Sequence, residues 1–184
     1  LPFVIFMLKA GEDGRGQVYR YLALAVFFLM AISDAIDGYV ARKYNQITHL
    51  GTFLDPLADK LLITCAVILL AAPMTAVQNF QLPVTVVVLI IGKDLFVLLG
   101  FLIIYLATSY IHIVPVAAGK ASTFLQLTMV VATLIAPEMT GVLPGWAYFV
   151  KLLWWATAAA AILATIVYMR RGLKYIEHLE ETRK

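Results

Sequence analysis

Four aspartates, Asp34, Asp37, Asp55 and Asp59, fall within one 26-residue stretch whose flanks on both sides are almost wholly apolar. At 100° per residue, Asp34, Asp37, Gly38 and Ala41 occupy about a third of a helix circumference. Asp55 and Asp59 stand at i and i+4 and share one face of the helix that follows. Two helices joined by a short loop therefore turn four carboxylates toward one point. Four unscreened negative charges at close quarters repel strongly, so the arrangement calls for positive charge among them. Divalent cations that prefer oxygen ligands meet that requirement. A lone aspartate in such a place reads as a helix cap or a loop charge; four at helical spacing do not.

The surroundings of the acids decide the fold class. The chain of 184 residues is 62% hydrophobic and 14% charged. Its mean hydropathy of +0.91 lies outside the soluble range. There is room for about six spans of ~20 residues each. We therefore expect an all-α integral membrane protein with six transmembrane helices. It forms a single domain over residues 1–184, of which 170–184 are a charged cytoplasmic tail. Residues 1–8 are apolar but too few to cross a bilayer, so the sequence reads as entering within a truncated first helix. No charged leader or small-residue cleavage site marks that stretch as a signal peptide. Later spans are expected over about 18–41, 52–72, 83–107, 120–136 and 146–169. A polar loop is expected at 9–17, with turns at 73–82 and 137–145. Pro56 is expected in the first turn of the third span, where the helical N–H groups lack intrahelical partners anyway.

Lysine and arginine set the orientation. Arg42, Lys43, Lys60, Lys120, Arg170, Arg171, Lys174, Arg183 and Lys184 lie on the side that bears the acids, against Lys9, Arg15, Arg20 and Lys151 on the other. The active site is thus expected at the cytoplasmic ends of helices 2 and 3. Trp146, Tyr148 and Tyr168 fall near span ends, where aromatic belts form. The single cysteine, Cys65, excludes an internal disulfide and reads as a small packing residue. His49, His112 and His178 are dispersed, with no metal-ligand spacing.

Written out, the acidic stretch is D-x2-D-G-x2-A-R-x8-G-x3-D-x3-D. It resembles the signature of the CDP-alcohol phosphotransferase (CDP-alcohol phosphatidyltransferase) family, with every fixed position present. The resemblance implies a CDP-linked donor, CDP-diacylglycerol, whose nucleotide lies against Gly38 and Ala41, with its diphosphate near Arg42. It implies two divalent metal ions, Mg or Mn, held by Asp34, Asp37, Asp55 and Asp59. Asp59 is also implied as the base that deprotonates the acceptor hydroxyl, after which CMP leaves. It implies a homodimer as well. From the residues alone, Gly38 and Ala41 fit simple small-residue helix packing equally well. Two metals held by four acids suit in-line displacement at phosphorus.

The run from Leu50 to Lys60 and the Gly119-Lys120 pair with Thr123 and Gln126 resemble the branch that makes phosphatidylglycerophosphate or cardiolipin. The polar half-helix with which family members usually begin is absent, so donor contacts from it are not assigned. Lys93 and Lys120 are candidates for holding the acceptor's phosphate. For Lys93, in mid-span, the competing reading is an ion pair with another helix, because Asp94 is about 100° away around its own. For Lys120, the competing reading is snorkelling to the interface.

In the branch that uses glycerol 3-phosphate, the fourth span usually carries two arginines; here Lys93-Asp94 stands with no second basic residue. The expectation leans to phosphatidylglycerol as acceptor, as in cardiolipin synthases, over glycerol 3-phosphate. A prenyltransferase would place its two acid motifs far apart. A cation or proton transporter would show a second acid cluster in a duplicated half. No nucleic-acid partner is expected. The expected location is a bacterial cytoplasmic membrane, ahead of a mitochondrial inner membrane.

Overall fold

The long apolar runs form helices, and the described residues of the computed structural model contain no strand. Backbone is described for 2–12, 16–43, 49–108 and 117–182, and side chains for 2–10, 16–30, 32–33, 36, 60–100 and 117–172. The elements are α1 (Pro2–Glu12), α2 (Gly16–Lys43), α3 (His49–Ala71), α4 (Val84–Thr108), α5 (Ala117–Leu134), α6 (Ala136–Val142) and α7 (Trp146–Thr182). Among them, α7 over Trp146–Gly172 is long and apolar enough to cross a membrane, and α5 with α6 qualifies if the pair is one span broken by a 69° bend. The shorter apolar stretches Gly16–Met30 and Lys60–Ala71 belong to α2 and α3.

Three boundaries differ from expectation. The polar loop expected from residue 9 is helical as far as Glu12, because Phe3 and Met7 form a buried i, i+4 stripe that carries α1 onward. The turn expected at 137–145 contains α6, for which Pro137 supplies a preset first-turn dihedral. Pro56 is the eighth residue of α3, not a first-turn residue, since α3 begins at His49.

Contacts divide the chain into two compact units, 1–82 with 130–146, and 83–129 with 147–184. In the first, α1 packs on α2 and α3. Phe3 and Phe27 meet at a ring separation of 5.6 Å and are both buried. Gly16 opens α2 beneath the Ala10 carbonyl, and a Cβ there would stand 2.6 Å from that oxygen. Ile63, Ala66, Val67 and Leu70 give α3 one buried stripe at i, i+3, i+4 and i+7.

The C-terminal end of α3 shows why the following turn is built as it is. A helix leaves its last four carbonyls without intrahelical donors. Here Ala72 N–H donates to Ile68 (3.0 Å) and Leu82 N–H to Leu70 (3.0 Å). The Thr75 hydroxyl donates to Leu69 (2.6 Å) and the Gln81 amide to Ala71 (2.8 Å). Residues 77–80 close a tight turn, with Phe80 N–H on the Val77 carbonyl at 2.8 Å. Asn79 takes the positive φ of 64° that the third position of a type II turn requires.

In the second unit, Val86, Ile90 and Lys93 lie on one buried stripe of α4. Ser122, Gln126 and Met129 do the same on α5, at i, i+4 and i+7. Small buried residues, Thr157, Ala158, Ala161 and Ala164, line α7, where close helix approach is favoured in membranes. The Thr157 hydroxyl donates to Leu153 of its own helix at 2.7 Å and reaches Leu125 of α5 at 3.5 Å. Large apolar residues face outward on the same helices: Leu152 and Phe124 are each 69% exposed and Leu163 62%. An apolar exterior of that extent is suited to lipid rather than water.

Candidate active site

Asp34 and Asp37 fall in the last three turns of α2, together with Gly38, Ala41 and Arg42. Asp55 and Asp59 fall in the second and third turns of α3, and Gly51 in its first. Both acid pairs therefore stand on continuous helix, where the i, i+3 and i, i+4 spacings place each pair on one face. The side chains of these eight motif residues lie outside the described residues. The donor set fits a divalent ion by its chemistry, since carboxylates are the oxygen ligands that Mg2+ and Mn2+ prefer.

Lys93 sits in α4 with its side chain 3% exposed, and its ammonium pairs with the Asp94 carboxylate at 2.9 Å. The neighbour in sequence is thus a partner, despite the 100° between their Cβ directions, because a four-carbon stem can fold back. Lys93 also donates to the Ser122 hydroxyl of α5 at 3.4 Å, a long hydrogen bond. Lys120 is exposed in the first turn of α5, two residues before Ser122. Ser122 was not singled out from sequence; its signal was a polar i, i+4 pair with Gln126 in an apolar helix. Gln126 is fully buried. Gly119, beside Lys120, packs against Tyr168 of α7 so closely that any side chain would collide with the phenol.

A separate cleft of about 440 Å3 opens in the first unit, among Gln17 and Arg20 of α2, Thr75 and Gln78 of the α3–α4 turn, and Glu138 of α6. Arg20 and Glu138 form an ion pair there. Arg20 lies fourteen residues before Asp34 on one helix, or about 21 Å along the axis. The cleft and the acid pair therefore occupy opposite ends of α2. The Arg20–Glu138 pair ties α2 to α6 across it.

Residues 1–170 match the model of the CDP-alcohol phosphatidyltransferase family. The chain is similar to the CDP-diacylglycerol–glycerol-3-phosphate 3-phosphatidyltransferase of Bacillus subtilis, with 36% identity over 140 residues, 72% of this chain and 68% of that protein. It is 33% identical over 187 residues to a probable phosphatidylglycerophosphate synthase of Mycobacterium tuberculosis, covering 99% of this chain and 80% of the other. With the human cardiolipin synthase (CMP-forming) it shares 27% identity over 199 residues, 95% of this chain and 63% of the relative. The acid pairs on α2 and α3, with glycine, alanine and arginine in register between them, lie wholly inside the matched region. This chain belongs to the CDP-alcohol phosphatidyltransferase family.

Proposed function

We propose that the protein transfers a phosphatidyl group from CDP-diacylglycerol to phosphatidylglycerol, forming cardiolipin and CMP in phospholipid biosynthesis. The observation that carries the choice of acceptor is the buried Lys93–Asp94 ion pair, with side chains 3% and 9% exposed. A lysine already neutralised by a carboxylate at 2.9 Å offers little net charge to a second anion. A phosphodiester with one charge suits it better than a phosphomonoester dianion, for which bidentate arginines are the fitting partners. A second reading, glycerol 3-phosphate as acceptor, is favoured by relatives that match over most of this chain: one named for that acceptor reaches 36% identity over 72% of it, against 27% over 95% for the human cardiolipin synthase. The family match leaves the transport reading without support.

In this reading Asp34, Asp37 and Asp55 hold two divalent cations with help from Asp59, and Gly38, Ala41 and Arg42 receive the cytidine diphosphate. Bound Mg2+ or Mn2+ neutralises diphosphate oxygens and acidifies a nearby hydroxyl. Asp59 takes the proton of the acceptor hydroxyl. The acceptor oxygen then bonds to the β-phosphorus, the bond from that phosphorus to the bridging oxygen breaks, and CMP leaves with the electron pair. Lys93 and Lys120 hold the acceptor's phosphate. The protein works as a six-span homodimer in a bacterial cytoplasmic membrane, with the acids on the cytoplasmic side. The test offers purified enzyme CDP-diacylglycerol with matched phosphatidylglycerol and glycerol 3-phosphate, with Mg2+ or with chelator, and follows CMP and lipid product. Cardiolipin should predominate and vanish on chelation. Phosphatidylglycerophosphate as sole product would establish the second reading, and no CMP with either acceptor would overturn both.

A further inference from the structure

Gln126 is fully buried on the inward stripe of α5, and among the described residues neither its amide oxygen nor its amide nitrogen has a hydrogen-bond partner. An amide offers two donors and an acceptor, and enclosing all of them without partners is unfavourable in any protein interior and more so in an apolar helix. A polar ligand that enters this face can complete it. The amide's neighbourhood says of what kind. One turn back on the same face, at about 5–6 Å between Cβ atoms, Ser122 meets the Lys93 ammonium at 3.4 Å. A ligand that sets an anionic oxygen on Lys93 and carries a hydroxyl a few bonds away spans that interval. Phosphatidylglycerol and glycerol 3-phosphate have this feature in common. Each holds a glycerol with phosphate at one end, the reacting hydroxyl at the other and a central hydroxyl that takes no part in the reaction.

We propose that Gln126 is a specificity-determining residue that hydrogen-bonds the central hydroxyl of the acceptor's glycerol. The inference rests on the reading of Lys93 as the group that holds the acceptor's phosphate. The hydroxyl both donates to the amide oxygen and accepts from the amide nitrogen. The long Lys93–Ser122 contact is a polar contact on this face that an incoming ligand can displace. A site built to bind a hydroxyl rejects the analogue without it, because the protein's own polar group is then left buried and bare.

The test compares, with purified full-length enzyme and CDP-diacylglycerol, glycerol 3-phosphate against 3-hydroxypropyl phosphate, and phosphatidylglycerol against its 3-hydroxypropyl counterpart. Wild type should lose roughly tenfold in kcat/KM when the central hydroxyl is absent. Gln126→Met, an apolar side chain of similar length, should lose the same factor with the glycerol acceptor and cease to discriminate. Its KM for CDP-diacylglycerol should be unchanged and its thermal stability equal or higher. Equal use of both acceptors by wild type overturns the proposal without any variant. Discrimination that survives Gln126→Met overturns it as well and makes the amide a packing group. Lys93→Met separates the two readings. If it weakens hydroxylated and deoxy acceptors alike, the phosphate assignment stands whatever Gln126→Met does. If it leaves the acceptor KM untouched while Gln126→Met abolishes discrimination, the phosphate assignment falls and the hydroxyl contact remains.

Discussion

Gly119→Ala offers a test of the packing at the start of α5, because two known effects oppose each other there. A Cβ on Gly119 would press on the Tyr168 hydroxyl, with two ring carbons of the same side chain following at 3.1 Å. Overpacking of this kind costs about 1–3 kcal/mol. Alanine in place of glycine in a helix gains up to about 1 kcal/mol, and less near an end. The clash should win, leaving Gly119→Ala destabilised by roughly 0–3 kcal/mol. Tyr168→Ala removes the obstacle, and in that background the alanine should stabilise. Tyr168→Phe removes the hydroxyl alone and leaves the ring, so its relief should be partial. The coupling between the two positions, about 1–3 kcal/mol, is what the cycle measures. For a chain of this length each kcal/mol moves Tm by about 2–4 °C, within reach of thermal unfolding in detergent. Equal shifts from Gly119→Ala with and without Tyr168 would refute the close approach of α7 to the turn that carries Lys120.

Asp34→Ala, Asp37→Ala and Asp55→Ala should each abolish turnover and weaken Mn2+ binding by titration, with helical circular dichroism unchanged; near-normal activity in any one removes that residue from the ligand set. Asp59→Asn should keep CDP-diacylglycerol binding while kcat collapses, since an amide preserves shape but takes no proton; a loss confined to donor affinity would make Asp59 a ligand only. Thr75→Val should cost about 1 kcal/mol in detergent unfolding by leaving the Leu69 carbonyl without its 2.6 Å donor, with kcat unchanged.

The parts legible in the sequence were those set by helical period. The acid spacing placed all four aspartates on α2 and α3, and the apolar runs located α4, and the apolar part of α7 over Trp146–Gly172, to within a few residues, although α7 itself continues to Thr182. Pro56 was misplaced by a turn, because proline is more favourable near a helix start and nothing local said that α3 begins at His49. The short α6 was missed since Pro137 and Gly141 read as turn residues. In the structure Pro137 lies in the first turn of the helix, and the Glu138 carboxylate meets Arg20 more than a hundred residues earlier in the chain. Partners that distant leave no periodic trace. The Lys93–Asp94 pair escaped for the opposite reason. Helical angles describe where Cβ atoms point, whereas an ammonium at the end of a long stem answers to the nearest carboxylate.

Buried polar groups at the end of α3 and on α7 serve the fold through hydrogen bonds of a kind that Gln126 does not make. At the end of α3, each of the four terminal carbonyls receives a donor from within the chain, two from backbone and two from Thr75 and Gln81. Buried Thr157 likewise uses its hydroxyl on Leu153. These residues could be exchanged for others that supply the same bond, since their work ends when the carbonyl is satisfied. Gln126 is buried as deeply as Thr157, yet its amide is satisfied by none of the described residues. A residue whose only role was packing would be served as well by methionine or leucine, which fill the space without enclosing bare donors. An amide in that position, one turn from Ser122 and its contact with Lys93, fits the role proposed for Gln126 in holding the acceptor's hydroxyl.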